Sequence, residues 1–162
     1  MESERITEIL DDPVTVDLIE RSPLMRLAYA GCDGAPRCVP LAYIVRNGTF
    51  VFCTIPSSDK VEALKRDPRV AITIDDSNPL VCLLVRGTAT VEIVDGVPDD
   101  YLEASHRNVP LEQQDGFDAQ VRSLYDSMAR IVITPTWVRL NDFQRTAPRA
   151  VERLMAAKTA EG

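Results

Sequence analysis

The sequence predicts a small antiparallel β-barrel flanked by helices. Three observations carry this. Short strand-like runs are joined by tight turns, with Asp33-Gly34, Asn47-Gly48 and Asp95-Gly96 as the turn pairs. Few helices separate the strands, so the crossovers that a parallel sheet requires are missing. The longest run, Leu80 to Val94, alternates from Leu83 onward, and its inner positions include Gly87 and Ala89. Such small residues leave room for the curvature of a barrel corner.

Taken in order, Ile6, Ile9 and Leu10 keep helical spacing. Pro13 then suits the first turn of a second short helix that Ser22-Pro23 ends. Residues 1–22 are read as a helical cover. Residues 23–145 form the barrel, with a helical insert at 98–128, and residues 146–162 form a C-terminal helix and frayed tail. A chain of 162 residues fits one such domain. Leu24 to Ala30 is the first strand and Arg37 to Val45 the second. Asn47-Gly48 joins the second to the third, Thr49 to Thr54, so these three form a meander. A helix opens near Ser58 and ends before Pro68. Arg69 to Ile74 and Leu80 to Val94 are the fourth and fifth strands. The insert reads as helices over Pro98 to His106 and Asp115 to Met128. Phe117, Val121, Leu124, Tyr125 and Met128 make the apolar stripe of the second helix. Ile131 to Leu140 is the sixth strand and Ala150 to Leu154 a closing helix.

Composition excludes several function classes. With 45% hydrophobic and 27% charged residues the chain is of globular type. A net charge of -7 argues against a basic nucleic-acid surface. No apolar run approaches the roughly 20 residues that span a bilayer, and the acidic start Met1-Glu2-Ser3-Glu4-Arg5 is unlike a signal peptide. A cytoplasmic protein is expected. The cysteines Cys32, Cys38, Cys53 and Cys82 form no C-x-x-C pair. Cys38, Cys53 and Cys82 sit in apolar runs and are expected as buried thiols. His106, the single histidine, is expected to be solvated on a polar helix. One histidine gives poor means for a zinc site or a hydrolytic triad. Neither a Walker nor a Rossmann glycine pattern is present. An enzyme with these residues would rely on a bound cofactor.

Two places could hold one. The first is the turn after the third strand. Ser57 and Ser58 are hydroxyls, Lys60 is a cation, and a helix begins there, with Ser58 as its expected N-cap. Helix N-termini present unpaired N–H groups and partial positive charge, so these are the parts of a phosphate site. The second is the second strand, apolar on both faces and interrupted by Pro40, which suits a wall for a flat ligand or for another subunit.

These residues resemble a known superfamily. The meander, the Ser57-Ser58-x-Lys60 turn, the exit Arg66-Asp67-Pro68-Arg69-Val70 and the run Arg86-Gly87-x-Ala89-x-Val91 are similar to the pyridoxamine 5′-phosphate oxidase-like proteins. These are split β-barrels that bind FMN or coenzyme F-420. The resemblance covers roughly Leu18 to Phe143. It implies a six-stranded antiparallel split barrel of the FMN-binding type and a homodimer with cofactor at the subunit interface. By position, Val39, Pro40 and Leu41 would line the flavin ring, and Thr54, Ser57, Ser58 and Lys60 would hold its phosphate. Arg37 and Arg86 would add charge to the phosphate or the ring edge. Trp137 and Arg139 would meet the partner subunit's flavin. The implied function is an FMN-dependent oxidoreductase, with F-420 as the alternative cofactor, passing hydride or electrons to or from a small-molecule substrate. A non-catalytic flavin, F-420 or haem carrier or sensor is the alternative. The stretch Asn141-Asp142-Phe143-Gln144-Arg145 has no histidine, which argues against vitamin B6 oxidation. The insert is closer to the flavin/deazaflavin reductase branch.

Overall fold

The computed structural model describes residues 1–145, 147 and 149–160. Two helices lead, α1 (Ser3–Leu10) and α2 (Pro13–Arg21), followed by strands β1 (Leu24–Ala30), β2 (Pro36–Ala42), β3 (Ile44–Arg46) and β4 (Thr49–Thr54). Helix α3 (Asp59–Arg66) precedes β5 (Arg69–Ser77) and β6 (Leu80–Asp95). The insert is α4 (Asp99–His106) and α5 (Leu111–Leu124), and the chain closes with β7 (Ser127–Asp142) and α6 (Arg149–Ala160). Among the described residues no helix is long and apolar enough to cross a membrane.

All strands belong to one antiparallel sheet in the order β2-β1-β5-β6-β7-β4-β3. The two end strands are consecutive in sequence, separated only by Tyr43. The chain itself therefore closes the sheet into a split barrel. The strand expected over Arg37 to Val45 is thus two strands, and the sheet has seven strands, not six. Nor do the first three expected strands form a simple meander. β2 pairs with β1, while β3 pairs with β4 through the Asn47-Gly48 hairpin. Both turn residues have positive φ, 48° and 74°, as this two-residue turn demands.

Alternation decides what is inside. Met25 and Leu27 of β1, Phe50 and Phe52 of β4, Ile72 and Ile74 of β5, and Leu83 and Val85 of β6 are buried in one core. Leu18 of α2 and Leu64 of α3 join it. The alternation of β6 weakens after Ala89: Val91 is only partly buried against the core, and Ile93 is 49% exposed beyond the barrel. The pairing of β6 with β7 slips by one residue between Arg86 and Gly87. A Cβ at Gly87 would meet the Thr134 carbonyl oxygen at 2.6 Å, so only glycine fits the bulge. Pro135, which has no N–H to lose, lies opposite.

The insert departs from the expected boundaries. Its second helix starts earlier and ends at Leu124, and Met128 lies in β7. Met128 still packs with Leu102 and Val121, with Tyr101, Phe117 and Tyr125 around them. Leu124 is 63% exposed, so the expected stripe is split between a helix and a strand. The expected strand over Ile131 to Leu140 runs longer at both ends, and the closing helix extends from Arg149 to Ala160.

Candidate functional site

The turn Ile55–Ser58 delivers the chain from β4 to α3, closed by Ser58 N–H donating to the Ile55 carbonyl at 3.1 Å. Ser58 sits at the N-cap position with extended backbone, but its side chain makes no cap hydrogen bond. Its Oγ instead accepts from Lys60 Nζ at 2.9 Å. The expected capping role is therefore corrected. The physical reason is competition, since a charged donor makes the stronger bond to that one oxygen. The consequence matters for function. The first N–H groups of α3 are left without a side-chain acceptor, and a hydroxyl, an ammonium and a helix N-terminus converge there.

Arg37 comes to the same end of the barrel. The last turn of α3 is tied to the β1–β2 loop by Arg66 Nη1, which donates to the Cys32 carbonyl at 3.1 Å. Arg37 Nη2 donates to Asp33 Oδ2 at 2.8 Å. Asp33, and to a smaller degree Asp59 at the start of α3, hold the Arg37 proton more tightly than usual. The hydrogen bond from Arg37, together with one from the Ala35 N–H, lowers the Asp33 carboxyl below its ordinary value. The arginine is thus oriented beside the turn, in a surface ion pair that a stronger anion can displace.

Strand β2 pairs with β1 alone and ends the order of strands, so its other edge carries unpaired backbone groups. Val39 and Leu41 pack against the core, whereas Cys38 and Pro40 are exposed on the outer face. The three residues expected to line a ring therefore do not share a face, because side chains alternate along a strand. What they share is the open edge. Thr54, the last residue of β4, pairs with Ala129 and leads directly into the turn.

The remaining site residues lie elsewhere. Cys38, Ala28, Ala71, Arg86 and Trp137 form one row across β2, β1, β5, β6 and β7. Four strand steps, about 19 Å along the sheet, separate Trp137 from the Cys38 position. Arg86 shares a groove with Arg37, and Trp137 does not line it. The Arg86 guanidinium lies 4.6 Å from the centre of the Trp137 ring. Arg139 Nε donates to Asn141 Oδ1 at 2.7 Å. Beside this row, a groove of about 580 Å³ runs over Ala28, Ala30 and Ala71 to Arg37, Arg69 and Arg86.

Other expectations change with burial. Cys38 is exposed, because the strand that carries it turns that position outward. Cys53 and Cys82 are half-buried, and burial pushes the Cys53 thiol up to about 12. His106 is not merely solvated: its Nε2 lies 2.7 Å from Asp118 Oδ1, joining α4 to α5. Among the described residues no cluster of His, Cys, Asp and Glu could hold a metal ion.

Sequence reasoning missed Arg107, which follows α4. Its guanidinium donates to the carbonyls of Tyr43 at 2.8 Å and Ser22 at 3.1 Å, and also to that of Ile19. No local pattern marks such a residue, since every partner is distant in sequence.

The comparisons agree with this geometry. Rv2991 from Mycobacterium tuberculosis, a conserved hypothetical protein, superposes with a TM-score of 0.59 at 22% identity, over 88% of this chain and 85% of that one. An F420 reductase superposes with a TM-score of 0.60 at 28% identity, over 76% and 94%. HutZ, a haem storage protein from Vibrio cholerae, gives 0.57 at 13% identity, over 81% and 93%. No curated protein matches the sequence. The pyridoxamine 5′-phosphate oxidase family model matches residues 12–142, which span β1 to β7 and the α3 turn. With that match over most of its length, on a split barrel of seven strands, the chain belongs to the pyridoxamine 5′-phosphate oxidase family.

Proposed function

We propose that the protein is a flavin- or deazaflavin-dependent oxidoreductase that works as a cytoplasmic homodimer. The observation that carries this reading is the α3 turn. Lys60 and Ser58 are already hydrogen-bonded to each other there, the helix N–H groups are free of side-chain caps, and Arg37 stands close by. This donor set fits a cofactor phosphate. Thr54 leads into the same turn and Ser57 lies within it, and both would complete the site. From the phosphate, the open edge of β2 between Arg37 and Leu41 offers backbone donors and acceptors to the rim of a flat ring. The bound group would supply hydride or electron transfer, and the chain would bind and orient it. The relatives named above lend support through an F420 reductase at 28% identity. FMN is the expected cofactor and F-420 the alternative.

The dimer follows from the outer sheet face. Among the described residues, Ala28, Ala71 and Arg86 of that row line a groove with no helix residue in it, and its alanines allow close approach of another surface. A second copy would also bring Trp137 toward the β2 edge of its partner, which a single chain cannot do.

The test is direct. The purified protein is titrated with FMN and with F-420, and turnover is followed with each reduced cofactor and a panel of small acceptors. Saturable binding of either, weakened by Lys60→Ala, supports the reading. No binding of either would overturn it, and binding without turnover would leave a carrier or sensor.

A further inference from the structure

We infer that the cavity between α1, the second half of β7 and the start of α6 binds a small carboxylate carried on an aromatic or apolar body. The cavity measures about 440 Å³, within the roughly 300–1,000 Å³ of small-molecule sites. Trp137, Leu140 and Ile9 give it an apolar body, and Arg5 and Arg139 give it cations. None of Arg37, Ser57, Ser58 or Lys60 lines it. Trp137 and Arg139 are the residues that the cofactor reading gives to a partner's flavin, so the inference deepens that reading and rests on it, while the whole lining comes from one chain.

The two arginines point to the ligand, while the Met1 ammonium, also in the lining, donates to the Thr136 carbonyl at 3.3 Å. Arg139 uses its Nε on Asn141, which orients the guanidinium and leaves its outer N–H groups unspent. Neither Arg139 nor Arg5 forms an ion pair among the described residues, although the chain is acidic overall and Glu8, Asp12 and Glu152 line the same cavity. Asp12 is committed to capping α2 through the Val14 N–H at 2.8 Å. A guanidinium fork matches a planar carboxylate in two parallel hydrogen bonds. A doubly charged phosphate would meet repulsion from the three carboxylates around it, so a monoanion is favoured. Trp137 has one face covered by Arg86 at 4.6 Å, which holds the ring in place as a platform. An aromatic or branched apolar body would pack on that ring, Ile9 and Leu140.

The experiment uses a built-in reporter, because Trp137 is the only tryptophan in the chain. Its fluorescence is followed in the full-length, cofactor-free protein during titration with phenylacetate and with its neutral amide, phenylacetamide. Phenylacetate should give a saturable change, and the amide should bind at least tenfold more weakly. Arg139→Gln should remove that preference with little change in melting temperature, and Arg139→Lys should restore part of it. Should Arg139→Gln not fold, Arg5→Gln carries the same comparison and should reduce the preference. Equal responses to the two compounds, or a preference that survives these substitutions, would overturn the site. A separate titration with FMN and F-420 keeps the two readings apart: cofactor binding without the carboxylate preference overturns this site alone, and the preference without cofactor binding overturns the flavin reading alone.

Discussion

The Arg107 guanidinium lies 5.0 Å from the centre of the Tyr43 ring and donates to the Tyr43 carbonyl at 2.8 Å. Tyr43 is the residue at which the chain leaves β2 and enters β3. Its ring is fully buried against Phe50, and burial pushes its phenol up to about 12 despite the nearby arginine. The same guanidinium satisfies carbonyls at the end of α2, which an uncapped helix terminus leaves open. One side chain from the insert thus fastens the barrel's split to its N-terminal cover.

Arg107→Ala should therefore destabilise the fold more than an ordinary surface change. Hydrogen bonds to a charged donor contribute about 1.5–3 kcal/mol each, and with partial relaxation the loss should be roughly 2–4 kcal/mol. Lysine should rescue only part, because it lacks the planar fork. Urea unfolding of the three proteins measures this, and a loss within the error of the midpoint would contradict the assigned role.

Lys60→Ala should weaken FMN or F-420 binding at least tenfold while leaving the cofactor-free melting temperature nearly unchanged. A charge-assisted hydrogen bond of about 1.5–3 kcal/mol corresponds to roughly ten- to hundredfold in affinity. Isothermal titration decides, and equal affinities of the two proteins would remove Lys60 from the phosphate site.

Acid should undo the clasp between insert and barrel. Burial pushes the Asp100 carboxyl up, but hydrogen bonds from Arg46 at 2.9 Å and Arg130 at 2.6 Å outweigh it, and the carboxyl ends below its ordinary value. A depressed carboxyl contributes stability above its unfolded value and loses it as pH falls through the folded one. Stability should fall as the pH drops below about 4, through the lowered folded value of Asp100. Asp100→Asn should flatten this dependence and lower stability at neutral pH, as read by denaturant midpoints across pH. An unchanged slope would show that the clasp is not linked to folding.

Thiol labelling reports on both burial and assembly. Cys32 is exposed in the β1–β2 loop and should react at once. Cys53, half-buried with its thiol raised to about 12, should react only on unfolding. Cys38 lies on the outer sheet face, so it should be slow at concentrations where the chain sediments as a dimer and fast on dilution. Equal rates for Cys38 and Cys32 at every concentration would argue against a dimer through that face.

Local chemistry is what the sequence by itself determined. The Asn47-Gly48 turn, the alternation of β6 as far as Ala89 and the start of α3 each depend on a few adjacent residues, so they are legible without the fold. The parts of the phosphate site could be read for the same reason, since Ser57, Ser58 and Lys60 lie within one turn. Only the tertiary structure decided that β2 and β3 part at Tyr43, because barrel closure is a pairing problem between distant strands and leaves no local period. It also decided that Val39 and Leu41 face the core, and that Ser58 binds Lys60 and not the backbone. Arg107, and the cavity that joins Trp137 and Arg139 to both ends of the chain, depend on contacts that only the closed barrel creates.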